Sequence, residues 1–192
     1  GDGDKIIMST DKDFLQLVND NVKVWSPTRK KLYDKQSVLE EYCVTANNFI
    51  MAKVFEGDKS DNIDGVKGIA TKTLVKNMPT LANEDNTYTL DEVYKYALQH
   101  KDEGGTFFVK VLQNKELLER NYKLMQLSDV DISGSTKTKL LDIVRQPINR
   151  LIKFKFESQF MEDRLFQNLP NISSWLSQTF TTLDKYAQVT NG

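Results

Sequence analysis

The chain has 192 residues, of which 39% are hydrophobic, so it can bury a core and intrinsic disorder is not expected. Its 26 basic and 27 acidic side chains give a formal net charge of −1, and any affinity for nucleic acid must therefore come from a local patch. A single cysteine, Cys43, excludes an internal disulfide framework.

Other bulk features exclude further classes of protein. The only histidine, His100, falls at the end of a predicted helix, where we expect it to be solvated, so histidine-rich metal sites and Ser-His-Asp triads lack their parts. No apolar stretch approaches the roughly 20 residues of a membrane span, and the first residues carry no basic-then-apolar signal. The sequence predicts a soluble protein with no membrane partner, located in the cytoplasm, or in the host cytoplasm if a phage encodes it.

The N-terminal end has the pattern of an α/β protein. Residues 5–9 predict a short buried strand, because their apolar run is too brief for a helix and is flanked by Gly and Asp. Residues 22–25 and 31–33 predict a hairpin that turns at residues 26–29. A buried parallel strand needs a neighbour on each side, so we expect the rest of the sheet to be absent from this sequence.

From residue 37 onward the pattern is mainly α-helical. Ser37 and Thr45 are predicted N-caps, with Glu40 at capping-box spacing after Ser37. In the helix after Thr45, we expect Phe49, Ala52, Val54 and Phe55 to lie mostly on one face. Further helices are predicted at 71–77, at 90–100, at 106–127 and, in three shorter pieces, after a break at 133–135. Residues 80–89 predict a polar loop.

Two pairs of aspartates are candidate metal ligands. Asp11 and Asp13 follow the first strand, and ligands of open parallel sheets bind beyond the carboxyl ends of the strands. An ordinary helix N-cap is the alternative reading of that pair. Asp58 and Asp61 lie three residues apart, so one tight turn can direct both carboxylates to the same point, as Mg²⁺ requires. A solvated turn is the alternative there.

Residues 65–69, Gly-Val-Lys-Gly-Ile, predict a tight turn whose backbone amides are free to meet a phosphodiester. Val66 and Ile69 are expected to anchor this glycine turn to the neighbouring helices. The helix that follows adds free amides and a positive dipole end, and three lysines add charge along the same edge. A purely structural helix hairpin is the alternative. The predicted DNA-binding residues are Gly65, Val66, Lys67, Gly68, Ile69, Thr71, Lys72 and Lys76.

These motifs resemble those of the 5′ nuclease family. Residues 57–63, Gly-Asp-Lys-Ser-Asp-Asn-Ile, with the glycine turn and Lys72-Thr73, are similar to its helix-three-turn-helix signature. Residues 9–17 resemble its strand-end acidic motif. The spacing between the two, with Trp25-Ser26-Pro27 and Lys30-Lys31 inside it, is most similar to the ribonuclease H branch of the T-even bacteriophages. The specific match covers residues 5–77.

The resemblance implies a function. Members of the family are structure-specific 5′-3′ exonucleases and flap endonucleases that remove RNA primers and flaps behind a replication fork. Asp11 matches a ligand of the first metal ion, and Asp13, Asp58 and Asp61 match the acidic group around the second. All four are therefore expected to be catalytic ligands of Mg²⁺, with Mn²⁺ as a substitute.

The resemblance also implies partners. The turn at 65–68 matches an element that holds duplex DNA, often with a monovalent cation in its backbone carbonyls. Duplex and flap DNA and RNA–DNA hybrid are the implied substrates. A single-strand-binding protein and a sliding clamp are implied by resemblance only.

The chain departs from the family in two respects. Asp64 and Ala70 stand where many members have Pro and Gly. Members also begin with a large front part of the nuclease domain that this sequence does not contain, so we expect the C-terminal part of a longer nuclease, weak or inactive by itself. The expected organisation is residues 1–44 from an α/β, PIN-like nuclease domain, a helix-three-turn-helix motif at 45–79 and a helical region at 80–192.

Two other functions are compatible with the sequence. One is a non-catalytic module that binds duplex DNA or docks on a replisome. The other is a degenerate helical scaffold, which would require Asp11, Asp13, Asp58 and Asp61 to diverge in space.

Overall fold

The computed structural model of the chain describes residues 3–103, 105–128, 132–147, 150–169 and 171–189. The strands within these ranges are β1 Lys5–Met8, β2 Val22–Ser26, β3 Lys31–Tyr33, β4 Gly57–Asp58 and β5 Ile63–Asp64. The helices are α1 Lys35–Tyr42, α2 Phe49–Glu56, α3 Thr71–Asn77, α4 Leu90–Gln99, α5 Thr106–Gln113, α6 Lys115–Met125, α7 Gly134–Arg145, α8 Lys153–Glu162 and α9 Ile172–Val189. Residues 1–130 form one compact unit and residues 131–192 another. The domain boundaries predicted at residues 44 and 79 lie inside the first unit and stay predictions.

A small sheet opens the first unit. β1 pairs in parallel with β2, and β2 pairs antiparallel with β3, which confirms the predicted hairpin. The prediction that β1 is buried is wrong, because β1 lies at the edge of the described sheet. Its apolar side chains Ile6 and Met8 are 62% and 73% exposed as a result.

The N-cap of α1 is a different residue from the one predicted. Asp34 is the N-cap, and its carboxylate accepts a hydrogen bond from the amide of Ser37 at 2.9 Å. Ser37 is the third helical residue, and its hydroxyl accepts a bond from the amide of Asp34 at 2.8 Å. The predicted N-cap at Ser37 is therefore wrong, because the carboxylate three residues earlier completes a capping box with it. Glu40 instead accepts from Gln36 within the helix.

Thr45 precedes α2 but does not cap it. A short 3₁₀ turn, Ala46–Asn48, separates the two, and the Thr45 hydroxyl makes no cap bond to that turn. The hydroxyl accepts instead from the side-chain amide of Asn48 at 3.0 Å.

Helix α2 is the centre of the first unit. Its apolar residues are buried all round the helix rather than on one face, because α3 and α6 both pack against it. The four residues predicted to lie mostly on one face are all buried, and Ile50 and Met51 are buried as well, because a helix enclosed by neighbours carries apolar residues at adjacent positions. The buried residues of α2 are Phe49, Ile50, Met51, Ala52, Val54 and Phe55.

A short hairpin and a turn connect α2 with α3. Gly57, with φ of +78°, ends α2, and β4 and β5 then pair antiparallel. The glycine turn leads into α3, which has the predicted bounds Thr71–Asn77. Pro79 begins a 3₁₀ turn, Pro79–Ala82, so the segment predicted as a loop is irregular only from residue 83 onward.

The region from residue 90 to residue 125 confirms one predicted helix and corrects two other predictions. The helix predicted at 90–100 is α4, which starts at a capping box formed by Thr89 and Glu92. The single helix predicted at 106–127 is two helices that break at Asn114, whose side-chain amide donates to the carbonyl of Lys110 at 2.8 Å. His100 is half-buried rather than solvated, because its ring stacks on Tyr96 with the centroids 4.1 Å apart.

The second unit consists of α7, α8 and α9. Ser133 is the N-cap of α7, so this helix begins at Gly134, inside the predicted break at 133–135. The ring of Phe156 contacts that of Trp175 at a tilt and that of Phe180 edge to face, and these contacts join α8 to α9. α9 has 18 residues and is not one of the short pieces predicted. In the described parts of the chain, no helix has both the length and the apolar character needed to cross a bilayer.

Candidate functional site

Three aspartates converge at the C-terminal ends of α2 and β1. Asp13 lies in the 3₁₀ turn Lys12–Leu17, Asp58 in β4, and Asp61 in the loop between β4 and β5. Each offers one carboxylate oxygen, and these oxygens all lie within 4.8 Å of one another. We call Asp13, Asp58 and Asp61 the acidic trio. The structure thus brings together three of the four aspartates singled out by the sequence.

Asp11 has a different local role. Its carboxylate accepts a hydrogen bond from the amide of Asp13 at 2.9 Å and caps the turn Lys12–Leu17. The capping role considered as the alternative is therefore present for Asp11. Its side chain still lines the cleft in front of the trio.

Lys53, on α2, was missed by sequence reasoning and lies inside the acidic trio. Its ammonium is 2.8 Å from Asp13 Oδ1 and forms a second, shorter ion pair with Asp58. Burial alone lowers the pKa of Lys53, but these two carboxylates outweigh burial and raise it. A lysine isolated within the apolar run of α2 was the available signal, because an ammonium in such a place needs an anionic partner.

Asp58 is held in its charged form by its neighbours. Contacts with Lys53 and with the hydroxyl of Ser60 hold the pKa of Asp58 below its usual range. The amide of Ser60 also donates to Asp58 Oδ1 at 2.9 Å. A carboxylate that stays ionised at neutral pH is the form that a metal ion binds.

The donors of the trio fit a hard divalent cation. All three are carboxylates, the ligand type that Mg²⁺ prefers, and the cluster already attracts one cation, the Lys53 ammonium. The buried atom Asp13 Oδ1 is contacted by the Lys53 ammonium at 2.8 Å, so a metal ion at this oxygen would compete with a cation that is already present.

The site opens onto a cleft of about 890 Å³. Asp58 and Asp61 line it together with the cationic side chains of Lys12, Lys59 and Lys72. Acidic groups at one point and basic groups around them are the arrangement that a metal-assisted reaction on a phosphodiester needs.

The glycine turn leads into Ala70, Thr71 and Lys72, which line this cleft, and the turn is anchored as predicted. Val66 and Ile69 are 4% and 3% exposed, while Lys67, Lys72 and Lys76 face solvent. The expectation of free amides is wrong for Val66, whose amide donates to Phe55 O at 2.8 Å, and for Ile69, whose amide donates to Val66 O at 3.0 Å. The first bond forms because the turn packs directly on the end of α2, and the second lies within the turn itself.

The start of α3 is also occupied, contrary to expectation. The carboxylate of Glu56 accepts hydrogen bonds from the hydroxyl of Thr71 and from its amide, the latter at 3.4 Å. An acidic side chain thus holds the position at which an incoming phosphate was expected. On the turn itself, the ammonium of Lys110 donates to the carbonyl of Lys67 at 3.3 Å, and the monovalent cation expected at these carbonyls stays a prediction.

Comparisons with known proteins identify relatives of the chain. No family model matches it. The 5′-3′ exonuclease of Aquifex aeolicus is 31% identical over 146 residues, which cover 76% of this chain and 46% of that protein. The flap endonuclease Xni of Pseudoalteromonas translucida is 34% identical over 136 residues, which cover 69% of this chain and 48% of that protein. The chain is homologous to the 5′ nucleases.

A solved structure of this family supports the same relationship. The bacteriophage T5 flap endonuclease, in a pseudo-enzyme–product complex with DNA and metal ions, superposes with a TM-score of 0.54 at 25% identity, over 73% of this chain and 53% of that one. The chain spans about half the length of the 5′ nucleases that it matches. The closer likeness to the T-even bacteriophage branch stays a prediction.

Proposed function

We propose that the chain supplies part of the active site and the duplex-binding surface of a Mg²⁺-dependent, structure-specific 5′-3′ exonuclease and flap endonuclease of the phage ribonuclease H type. Its substrates are flap and duplex DNA and RNA–DNA hybrid, and its role is the removal of RNA primers and flaps during replication. The acidic trio beside Lys53 is the observation that carries the proposal. The homology to proteins named 5′-3′ exonuclease and flap endonuclease supports it.

In this proposal Asp13, Asp58 and Asp61 hold metal, and Asp11 contributes from the wall of the same cleft. Bound divalent ions supply a hydroxide near neutral pH and stabilise the oxygens of an in-line phosphodiester displacement. Lys53 offsets the repulsion among the carboxylates and keeps Asp13 and Asp58 oriented. Lys59 and Lys72 attract the phosphate backbone to the cleft.

The proposed duplex-binding surface extends from Gly65 to Lys76, within the segment that we propose as a helix-three-turn-helix motif. Lys67, Lys72 and Lys76 contact phosphates, and Gly65, Val66, Gly68, Ile69 and Thr71 shape the backbone that follows the duplex. The carboxylate of Glu56 leaves Thr71 when a phosphate binds there, because two anions do not share one helix end. A monovalent cation at residues 65–68 and docking to a clamp or a single-strand-binding protein are proposed by resemblance only.

A second candidate function is a non-catalytic module that binds duplex DNA or docks on a replisome. The solvent-facing side chains of Lys67, Lys72 and Lys76 favour it, because contacts with a phosphate backbone require no metal ion. These lysines then keep their role on the phosphate backbone, and no bond is cleaved.

One experiment separates the two functions. Cleavage and binding of a labelled 5′-flap duplex are measured with the native chain and with Asp58→Asn, in Mg²⁺, in Mn²⁺ and in chelator. Metal-dependent cleavage that Asp58→Asn abolishes supports the nuclease. Salt-sensitive binding without cleavage supports the duplex-binding module. The absence of both binding and cleavage contradicts the nuclease and the duplex-binding module and leaves only docking on a replisome.

A further inference from the structure

Asn121 is a fully buried polar residue that the proposed chemistry does not use. It lies on α6, its exposed fraction is 0%, and both of its amide hydrogens are engaged. The Nδ2 atom donates to Val54 O at 3.1 Å and to Asp64 O at 2.8 Å. The first acceptor belongs to α2 and the second to the end of β5, so one side chain links α6 to both elements.

The position of Asn121 follows from the chemistry of a helix end. The last carbonyls of a helix have no partner within the helix and must find donors elsewhere when buried. At the end of α2, three carbonyls accept hydrogen bonds from different donors. The amide of Gly57 donates to Lys53 O, and the side chain of Asn121 donates to Val54 O. The amide of Val66 donates to Phe55 O at 2.8 Å. The end of α2 is therefore fixed by one side chain and by the glycine turn.

The groups fixed in this way flank the proposed site. Asp58 and Asp61 lie on the β4–β5 hairpin, whose final carbonyl, that of Asp64, accepts from Asn121. Lys53 lies one residue before Val54 on α2 and pairs with Asp13 and Asp58. A shift of the hairpin against α2 would separate Asp58 from Lys53 and change the distances within the acidic trio.

We propose that Asn121 is a positioning residue of the metal site: it holds the acidic hairpin against the end of α2 without touching the metal ligands. This inference rests on the proposed function, because it concerns the same trio. Removal of Asn121 leaves the buried carbonyl of Val54 and the partly buried carbonyl of Asp64 without this donor and releases the hairpin. Substitution of residues that orient metal ligands typically costs about 10-fold to 100-fold in metal affinity.

The chain contains a matched control at the other end of α2. Asn48 is also 0% exposed, and its side-chain amide donates to Leu81 O at 3.2 Å and to Asn86 O at 2.7 Å. Asn48 therefore holds a different segment, residues 81–88, against the N-terminal end of the same helix. Its loss should destabilise the fold in the same way but leave the acidic trio in place.

The test compares Asn121→Ser with Asn48→Ser. Mn²⁺ affinity is measured by titration calorimetry on the full chain, and backbone hydrogen exchange is followed by mass spectrometry. We expect Asn121→Ser to weaken Mn²⁺ binding about tenfold and to accelerate exchange in residues 57–69. We expect Asn48→Ser to keep the native Mn²⁺ affinity and to accelerate exchange in residues 81–88.

Other outcomes are equally decisive. Equal Mn²⁺ affinities for the two variants, or native exchange in residues 57–69 of Asn121→Ser, would overturn the inference. If Asn121→Ser does not fold, Asn121→Gln replaces it, because Gln keeps both donors but moves them outward by one methylene; native Mn²⁺ affinity and native exchange in that variant would also overturn it. A native chain that binds no Mn²⁺ contradicts the proposed metal site, and the exchange data then still decide whether Asn121 positions the hairpin.

Discussion

Lys53 and Asp13 form an ion pair in which Nζ lies 2.8 Å from Oδ1, at a point where the side chains are only 13% and 18% exposed. The same ammonium contacts Asp58, so one cation serves two carboxylates. Three carboxylates within 4.8 Å repel one another strongly when water is partly excluded. Lys53 is thus the counter-ion that allows these groups to stay together in the absence of metal.

Lys53→Met is expected to have opposite effects on stability and on metal binding. Without divalent ions, the variant should lose about 2 kcal/mol of unfolding free energy, because half-buried carboxylates are left uncompensated. It should bind Mn²⁺ more tightly than the native chain, because the ammonium no longer competes for Asp13 and Asp58. Urea unfolding in chelator and in Mn²⁺ measures both effects.

The control for Lys53 is Lys59→Met, which removes an exposed lysine from the wall of the same cleft. Surface charges of this kind contribute little to stability, so its unfolding free energy should stay native. If both variants respond alike to Mn²⁺, Lys53 acts only through the general field of the cleft.

Gly65→Ala is expected to unfold the turn next to the site. A Cβ at Gly65 would lie 2.3 Å from the carbonyl carbon and oxygen of Glu56, which are backbone atoms and cannot move aside. Such overpacking typically costs about 1–3 kcal/mol. Thermal unfolding should therefore show a clear loss for Gly65→Ala and none for Gly3→Ala, where nothing lies within 4 Å of the added atom. Equal melting temperatures would mean that the turn can move away from α2.

Local sequence patterns predicted the elements that depend on neighbouring residues. The hairpin of β2 and β3 and the bounds of α3 follow from turn residues and a helix-ending proline. The start of α4 follows from its helical periodicity. The meeting of Asp58 and Asp61 also follows from their short spacing on one hairpin. These features required no knowledge of distant contacts.

The errors concern competition between partners and contacts between distant segments. Ser37 and Asp34 both have the chemistry of an N-cap, and the sequence does not say which one the helix uses. The ion pairs of Lys53 and the double hydrogen bond of Asn121 join residues far apart in the chain, so spacing cannot reveal them. Glu56 likewise meets Thr71 only after the glycine turn has folded back on α2.

Glu41 should make the first unit sensitive to acid. Burial raises the pKa of Glu41, but bonds from Lys31 and Tyr33 outweigh it and lower the pKa from the usual 4.5 to about 2. Because the folded state favours the ionised form, the resulting stability is complete above pH 4.5 and is lost as the pH falls from 4.5 to about 2. After allowance for solvent screening, we expect a loss of about 1 kcal/mol.

The measurement for Glu41 is urea unfolding at a series of pH values. Glu41→Gln should be less stable than the native chain at neutral pH and should lose less stability between pH 4.5 and about 2. Glu40→Gln is the control, because Glu40 is exposed and accepts from Gln36 within the same helix. If the unfolding free energies of the native chain and of Glu41→Gln fall identically with pH, Glu41 is not the cause of the acid sensitivity.

The proposed duplex-binding surface can be tested through its dependence on salt. Lys67 and Lys72 face solvent at or just after the glycine turn. Each should displace about one counterion from the DNA when its ammonium contacts a phosphate. Lys67→Ala and Lys72→Ala should therefore each weaken duplex binding and reduce the slope of log K against log salt by about 0.9, with the same sequence preference as the native chain. Lys123→Ala, which removes an exposed lysine of α6, should leave the slope unchanged. A native slope of log K against log salt in Lys67→Ala or Lys72→Ala would exclude that lysine from the phosphate contacts. An equal reduction of the slope in Lys123→Ala would mean that duplex binding depends on total charge rather than on this surface.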